Sequence, residues 1–435
     1  LAVPSFTPFE VAAILIVLAT ALGYVNYRFI GLPHTIGLTV TGALAALAVV
    51  GIDALWPALP LERAERSFLQ SIEFSETLLR GMLSFLLFAG ALHVDLRLLL
   101  ERKWTVGILA TAGVLASTFL VGLGFKAATA LLGFEVSWLW CLVFGALISP
   151  TDPVAVLGIL RSAGVPKVLE AGIGGESLFN DGVGIVLFTI LLMAATGSEP
   201  VSIGRGAELF ALEAGGGLLL GLLFGGAGFA LMKTIDEYNL EILITLAIVM
   251  GGYALAERLH VSGPISMATA GLLIGNPGVR HAMSDRTRDN LLNFWSLLDE
   301  ILNSVLFLTI GLEVITIAIG WPELTAGLLA IPVVLAARAL SAGLPLGLLA
   351  PFRAFERGTF PMLVWGGLRG GISIALALTL PAGDLQALLV TATYVVVVFS
   401  VAVQGTTVGL AARRLFRPEA EARTEPEGEA AASQS

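Results

Sequence analysis

Apolar runs of about twenty residues recur along the whole chain, separated by brief polar breaks. Each is long enough to cross a hydrocarbon core of about 30 Å as a helix. Thirteen spans are predicted, at approximately 9–29, 34–51, 74–93, 104–132, 137–160, 168–195, 207–231, 239–257, 263–276, 294–318, 324–349, 359–380 and 385–412. The expected fold class is therefore an all-α polytopic membrane protein. The ninth span is short and glycine-rich, and the fourth is so long that it must tilt or kink. Loops this brief leave no room for a separate soluble domain. The membrane domain is expected over 1–417 and a polar tail over 418–435.

Two spans carry interruptions that a plain membrane helix does not need. The fifth reads Ser149-Pro150-Thr151-Asp152-Pro153, an acid between prolines; the twelfth reads Gly366-Gly367-Leu368-Arg369-Gly370-Gly371, a base among glycines. Proline removes an amide donor and glycine lowers the cost of unwinding. Paired broken helices in corresponding positions of two halves point to a transporter's midplane site. Spans 1–6 and 8–13 each place their break fifth, and the single span between them would invert the second half. An inverted repeat with two broken helices at the midplane is the expected architecture.

Composition supports the membrane reading. Apolar residues make up 56% of the chain and charged residues 13%, against about 25% charged in soluble domains. Of the net charge of −9, much sits in the tail, with Glu419, Glu421, Glu425, Glu427 and Glu429 against Arg423. A tail so polar and small is expected to be disordered. No basic patch with interleaved aromatics speaks for nucleic acid. Cys141 is the single cysteine, which rules out an intrachain disulfide, and the four histidines are scattered, which argues against a structural zinc site. Leu1 to Tyr24 lacks a basic n-region and reads as the first helix rather than a signal peptide. Basic residues collect in alternate loops, among them Arg97, Arg102, Lys103, Arg161, Lys167, Arg286, Arg288, Arg413 and Arg414. The opposite loops hold Arg63, Arg66, Lys126, Arg205 and Arg258. The positive-inside rule then puts the N-terminus outside and the C-terminus in the cytoplasm of a cell whose inner membrane holds the protein.

The chemistry concentrates in Gly175-Glu176-Ser177-Leu178-Phe179-Asn180-Asp181-Gly182. An ionisable group at membrane depth costs roughly 2.5–3.5 kcal/mol even on lenient scales, so it marks an ion or proton path. Ser177 and Asp181 share one helical face, and Glu176 and Asn180 an adjacent one. Asp181, Ser177, Asp152 and Thr151, with carbonyls freed by the proline break, make a set of hard oxygen donors for an alkali cation. Two simpler readings compete. The acids could cap a helix N-terminus, and Asp152 before Pro153 is a good N-cap in its own right. Arg338, inside an apolar span, needs a carboxylate, and Glu176 is the expected partner. Arg369 is expected to be held by carbonyls at the glycine break, its charge standing for a second cation in the mirror-related half; for both arginines the simpler alternative is snorkelling to an interface. Glu300, Asn303 and Glu313 are weaker candidates. Glu76 and Arg80 form a pair near a membrane edge, and His34, His93, His260 and His281 read as interfacial.

Ser-Pro-Thr-Asp-Pro-Val-Ala-Val at 149–156, the stretch at 175–182, Ala-Arg-Ala-Leu at 337–340 and Gly-Gly-Leu-Arg-Gly-Gly at 366–371 together resemble the monovalent cation:proton antiporter-1 family, which includes NhaP-type and animal sodium/proton exchangers. The resemblance implies a thirteen-helix inverted-repeat antiporter with crossed broken helices, usually a homodimer. It implies that Asp181 carries either cation or proton with help from Thr151, Asp152 and Ser177. By the same resemblance Glu176 and Arg338 form a buried structural pair and Asn180 supports the site. Many relatives carry a third-span acid in a Phe-Glu-Gly-Ala-Leu-like stretch. Here Phe88-Ala89-Gly90-Ala91-Leu92 has none.

The function expected is exchange of a monovalent alkali cation, Na⁺ first and Li⁺ or K⁺ as alternatives, for H⁺. A carboxylate in a partly dry cavity holds a proton or a cation but not both. With Asn at 180 and Asp at 181, one proton against one cation predicts electroneutral exchange. Alternating access is expected from a core of spans 4–6 and 11–13, about 104–195 and 324–412, moving against the rest. No cofactor is expected beyond the transported ions. A Na⁺-coupled solute symporter is the alternative, and a passive channel a further one. An intramembrane serine protease using Ser177 lacks a histidine base in the same spans, so the chain does not read as an enzyme.

Overall fold

The computed structural model describes residues 7–55, 81–152, 156–158, 160, 163–197, 202–278, 283–313, 320–351 and 355–416. Outside them lie the start of the third span with Glu76 and Arg80, Pro153, His281 and the acidic tail. The described residues form helices only: α1 Pro8–Val25, α2 His34–Leu55, α3 Leu83–Leu92, α4 Leu96–Glu101, α5 Lys103–Leu131, α6 Trp138–Ile148, α7 Lys167–Thr196 and α8 Ile203–Met232. They continue with α9 Tyr238–Arg258, α10 Gly263–Leu273, α11 Asp285–Leu312, α12 Trp321–Leu349, α13 Thr359–Trp365, α14 Gly371–Leu378 and α15 Asp384–Leu415. Among the described residues nine helices are long and apolar enough to cross a membrane, and α3 and α6 are shorter apolar helices.

Local signals set the helix ends. Thr7 and Glu10 form a reciprocal capping box at the start of α1, which satisfies donors the helix cannot. Hydropathy alone places two starts too late. α8 begins at Ile203, where Ser202 accepts from the Arg205 amide, and α11 begins at Asp285, where Ser284 accepts from the Thr287 amide. The first turns of α11 are polar because they stand clear of the apolar stripe, and the Ser cap marks their start. The fourth span, expected to tilt or kink, carries a π-turn over Leu109–Gly113 inside α5, a feature at which helices commonly kink.

In lipid, burying apolar side chains does little to bring helices together, so close backbone approach at small residues matters more. α5 packs on α6 and α12, and α12 on α15. Gly122 of α5 sits against the Cys141 backbone of α6, and Gly145 of α6 against the Thr118 carbonyl of α5. On the other side α2 packs on α11 through Gly42 and Gly311, and α8 packs on α10 through Gly221 and Gly225. A second core cluster of α3, α8, α9, α10 and α11 centres on Phe88, Met267 and Trp295. α7, 30 residues long, runs between the two groups and touches α6, α8 and α10.

Both interrupted spans are broken where the prolines and glycines stand. α6 ends at Ile148, with Ser149 to Asp152 unwound, and Gly366 to Gly370 separate α13 from α14. The two unwound segments meet, the Asp152 amide donating to the Leu368 carbonyl at 2.8 Å.

Candidate functional site

Each break exposes backbone that must find partners, since an unsatisfied amide in lipid costs several kcal/mol. At the first break the Ser149 hydroxyl bonds back to the Gly145 carbonyl at 2.6 Å and to Ser117 of α5 at 2.9 Å. Thr151 is held by α7. Its amide donates to Asn180 Oδ1 at 3.2 Å, its Oγ1 accepts from Asn180 Nδ2 at 2.7 Å, and its hydroxyl pairs with Ser177 at 2.8 Å. Asn180 therefore spends both ends of its amide on one residue. It acts as a clamp between α7 and the break. A Cβ at Gly184 would overlap the Pro150 ring, so glycine there lets the break lie directly on α7.

At the second break, the Arg369 amide donates to the Ser400 hydroxyl at 2.8 Å, Ser400 donates to Gln404 at 2.8 Å, and Gln404 donates to the Trp365 carbonyl at 3.1 Å. Ser400 and Gln404 lie in a π-turn of α15, Ser400–Gly405, which turns polar side chains toward the glycine segment. The Arg369 guanidinium is fully buried and donates to the Gly367 carbonyl at 3.2 Å, while its Nε has no partner among the described residues.

The capping explanation of the 175–182 stretch fails on position. α7 starts at Lys167, so Glu176 and Ser177 lie past its second turn and Asp181 beyond its third. The four polar side chains divide. Glu176 accepts two bonds from Arg338, Nη1 to Oε1 and Nη2 to Oε2, the second at 3.1 Å, and Arg338 Nε donates to the Leu363 carbonyl at 3.1 Å. Both members of this pair are buried. Ser177 and Asn180 hold Thr151. Asp181 alone is left facing a cavity. It is 2% exposed, and its Oδ1 has no hydrogen-bond partner among the described residues.

That cavity lies where the two breaks meet. Asp152, Asp181, Asn303 of α11 and Ser373 of α14 are its polar lining, with Pro150, Gly370 and the α3 face of Leu87 and Gly90 closing it. A Cβ on Gly370 would overlap the Asp152 carboxylate, so the second break presses against the acid of the first. Two carboxylates with an amide and a hydroxyl around one buried cavity make a hard-oxygen environment. Such a set suits a small desolvated cation or a proton.

A family model described as "Sodium/hydrogen exchanger, transmembrane" matches residues 14–414. The chain is 48% identical over 412 residues to the Na⁺/H⁺ antiporter NhaP of Pseudomonas aeruginosa, covering 94% of this chain and 97% of the relative. The chain belongs to the sodium/hydrogen exchanger family. It is also 36% identical to the Na⁺/H⁺ antiporter NhaH of Halobacillus dabanensis, covering 83% of this chain and 89% of that one. Its fold is similar to the solved sodium proton antiporter MjNhaP1 of Methanocaldococcus jannaschii, with a TM-score of 0.74 at 21% identity over 94% of this chain and 99% of that one.

Within this exchanger fold the remaining candidates separate. Asn303 lines the cavity; Glu300 is exposed on α11, and Glu313 is buried just past the end of α11. His34, His93 and His260 are exposed, and His34 pairs with Ser304 at 2.8 Å and His93 with Ser296 at 3.0 Å. Ala89, in the stretch where many relatives hold an acid, is buried in the apolar cluster around Trp295. Sequence reasoning missed Ser400, Gln404 and Asp299. The first two carry no local signal of their partners. Asp299 did have one: Ser296, Asp299 and Asn303 recur at helical spacing on an otherwise apolar stripe.

Proposed function

We propose that the chain is a secondary active antiporter that exchanges Na⁺ for H⁺ across the cell membrane, with Asp181 as the shared binding group. The observation that carries this reading is the Asp181 carboxylate. It is buried where two broken helices meet, with an oxygen that no donor among the described residues fills. A bare charge there is costly, and either a proton or a cation relieves the cost. One excludes the other, which couples the two fluxes. The names of the relatives support Na⁺ as the cation, and Li⁺ and K⁺ remain alternative cargo for the same oxygen set. Asp152 completes the cavity lining, Thr151 and Ser177, bonded to each other, back it with oxygens one step removed, Asn180 clamps it, and Glu176 with Arg338 fixes α7 against α12. Arg369 balances charge at the second break.

In this reading α5 to α7 and α12 to α15 form the moving core and the other helices the scaffold. The architecture is a thirteen-span inverted repeat, assembled as a homodimer, with the N-terminus outside and the C-terminus inside. A Na⁺-coupled symporter would need a solute pocket beside the ion site. The polar groups of this cavity are two carboxylates, an amide and a hydroxyl, without an aromatic among the described residues of its lining, which favours a cation as cargo. The test is reconstitution of the full chain in proteoliposomes with a pH-sensitive dye inside. Na⁺-driven proton flux is expected in the wild type and its abolition in Asp181→Asn. Flux at wild-type level in that variant would overturn the assignment.

A further inference from the structure

α11 carries one polar stripe that runs from exposed Ser296 through half-buried Asp299 to buried Asn303. Ser296, Asp299 and Asn303 fall at i, i+3 and i+7, so their side chains stack on one face, and Leu306 continues it into the cavity wall. Asn303 is 3% exposed and lines the Asp152–Asp181 cavity. Its Nδ2 is spent on its own helix, donating to the Asp299 carbonyl at 2.8 Å, and its Oδ1 has no partner among the described residues. One turn away, Asp299 Oδ1 is also buried without a partner among those residues.

The stripe leads somewhere. A second, larger cavity is lined by His93, Asp95, Lys167, Glu170 and Gly174. It uses the same faces of α3 and α7 as the first, displaced by about one turn: Gly174 precedes Leu178 and Asp181, and His93 follows Gly90. Ser296, at the other end of the stripe, bonds His93 at 3.0 Å. One end of the stripe, Asn303, lines the narrow cavity, and the other, Ser296, bonds His93 of the wide one. Meanwhile the α3 face of the narrow cavity, Leu83, Leu86, Leu87 and Gly90, offers no carboxylate, and a Cβ at Gly90 would meet nothing within 4 Å.

We propose that Asp299 and Asn303 form a cation-holding subsite on the path to Asp181, in which the scaffold helix α11 supplies the acid that α3 lacks. This rests on the antiport reading above. Two oxygens one turn apart, each buried with no hydrogen-bond donor among the described residues, take a partly dehydrated monovalent cation beside the Asp152–Asp181 pair. Asp299 acts on binding and not on the exchange of proton for cation at Asp181. Removing its charge should therefore weaken capture and spare turnover.

The experiment measures Na⁺-dependent proton flux in proteoliposomes over a range of Na⁺ concentrations, for wild type, Asp299→Asn and Asp299→Glu. Loss of one charged contact predicts a KM for Na⁺ raised about tenfold in Asp299→Asn, with saturating turnover within about twofold of wild type. Asp299→Glu keeps the charge and should stay near the wild-type KM. If Asp299→Asn does not fold, Asn303→Leu, which keeps the volume and removes the oxygen, should shift KM in the same direction. An unchanged KM, or lost turnover at an unchanged KM, overturns the subsite while wild-type flux leaves the antiport reading standing. A wild type without cation-dependent flux would sink the antiport reading, and the subsite with it.

Discussion

At the scale of single residues, the cavity depends on two contacts that position an oxygen without supplying a charge. Thr151 Oγ1 accepts from Asn180 and pairs with Ser177, so Thr151→Val leaves a buried amide hydrogen unpaired at a cost of roughly 1–3 kcal/mol. Folded protein is expected in detergent, with Na⁺-driven flux reduced about tenfold or more at low Na⁺. Thr151→Ser should retain near-wild-type flux. A Thr151→Val variant with unaltered flux would show that the hydroxyl does not order the site. Gly370→Ala is the sharper probe, because its Cβ would occupy the space of the Asp152 carboxylate. Displacing that group by even an ångström should raise the KM for Na⁺ by about tenfold or more. An unchanged titration curve would mean that Asp152 is not a ligand. What the sequence made legible here was residue type: oxygen donors at membrane depth announce themselves by their cost. The Glu176–Arg338 pairing was legible too, but the spending of Ser177 and Asn180 on Thr151 was not, because Asn180 and Asp181 are neighbours in the chain. Only the packing of the break on α7 decides which one is consumed.

At the scale of elements, the Glu176–Arg338 pair ties α7 to α12, and through Leu363 to α13. Breaking a buried pair from one side leaves an uncompensated charge, worth about 3–5 kcal/mol, whereas replacing both members by apolar residues is often neutral. Glu176→Gln alone is therefore expected to lower the thermal midpoint in detergent sharply. Glu176→Leu with Arg338→Met should recover most of the loss. A double variant no more stable than the single ones would mean that the pair does more than neutralise itself. The same contrast explains which elements could be read in advance. Breaks at Pro150 and at Gly366 to Gly370 were legible because a missing donor or a missing Cβ acts locally. The starts of α8 and α11 were obscured because their first turns are polar, although Ser202 and Ser284 mark them. The network of Ser400 and Gln404 that holds the second break was not legible. Its partners lie more than thirty residues away, and a polar side chain in an apolar helix does not reveal which carbonyl it faces.

At the scale of the molecule, the question is how much charge crosses with each cycle. Around the cavity Glu176 is neutralised by Arg338, and Arg369 keeps its charge through both half-cycles because arginine does not deprotonate in proteins. Position 180, beside Asp181, is an amide already committed to Thr151. If Asp181 alone alternates between proton and Na⁺, the core carries the same net charge in both directions. The membrane potential then does no work on it. A potential of 100 mV is worth about 2.3 kcal/mol for each charge moved, so an unbalanced cycle would respond by more than an order of magnitude in driving force. In proteoliposomes clamped by a potassium gradient with valinomycin, Na⁺-driven proton flux is expected to be the same at inside-negative, zero and inside-positive potential. Acceleration at one sign would mean that a second group exchanges its proton. Asp152, which shares the cavity with Asp181, would be the group to neutralise next, and Asp152→Asn should then remove the voltage dependence of the exchange that remains at saturating Na⁺, with its KM raised.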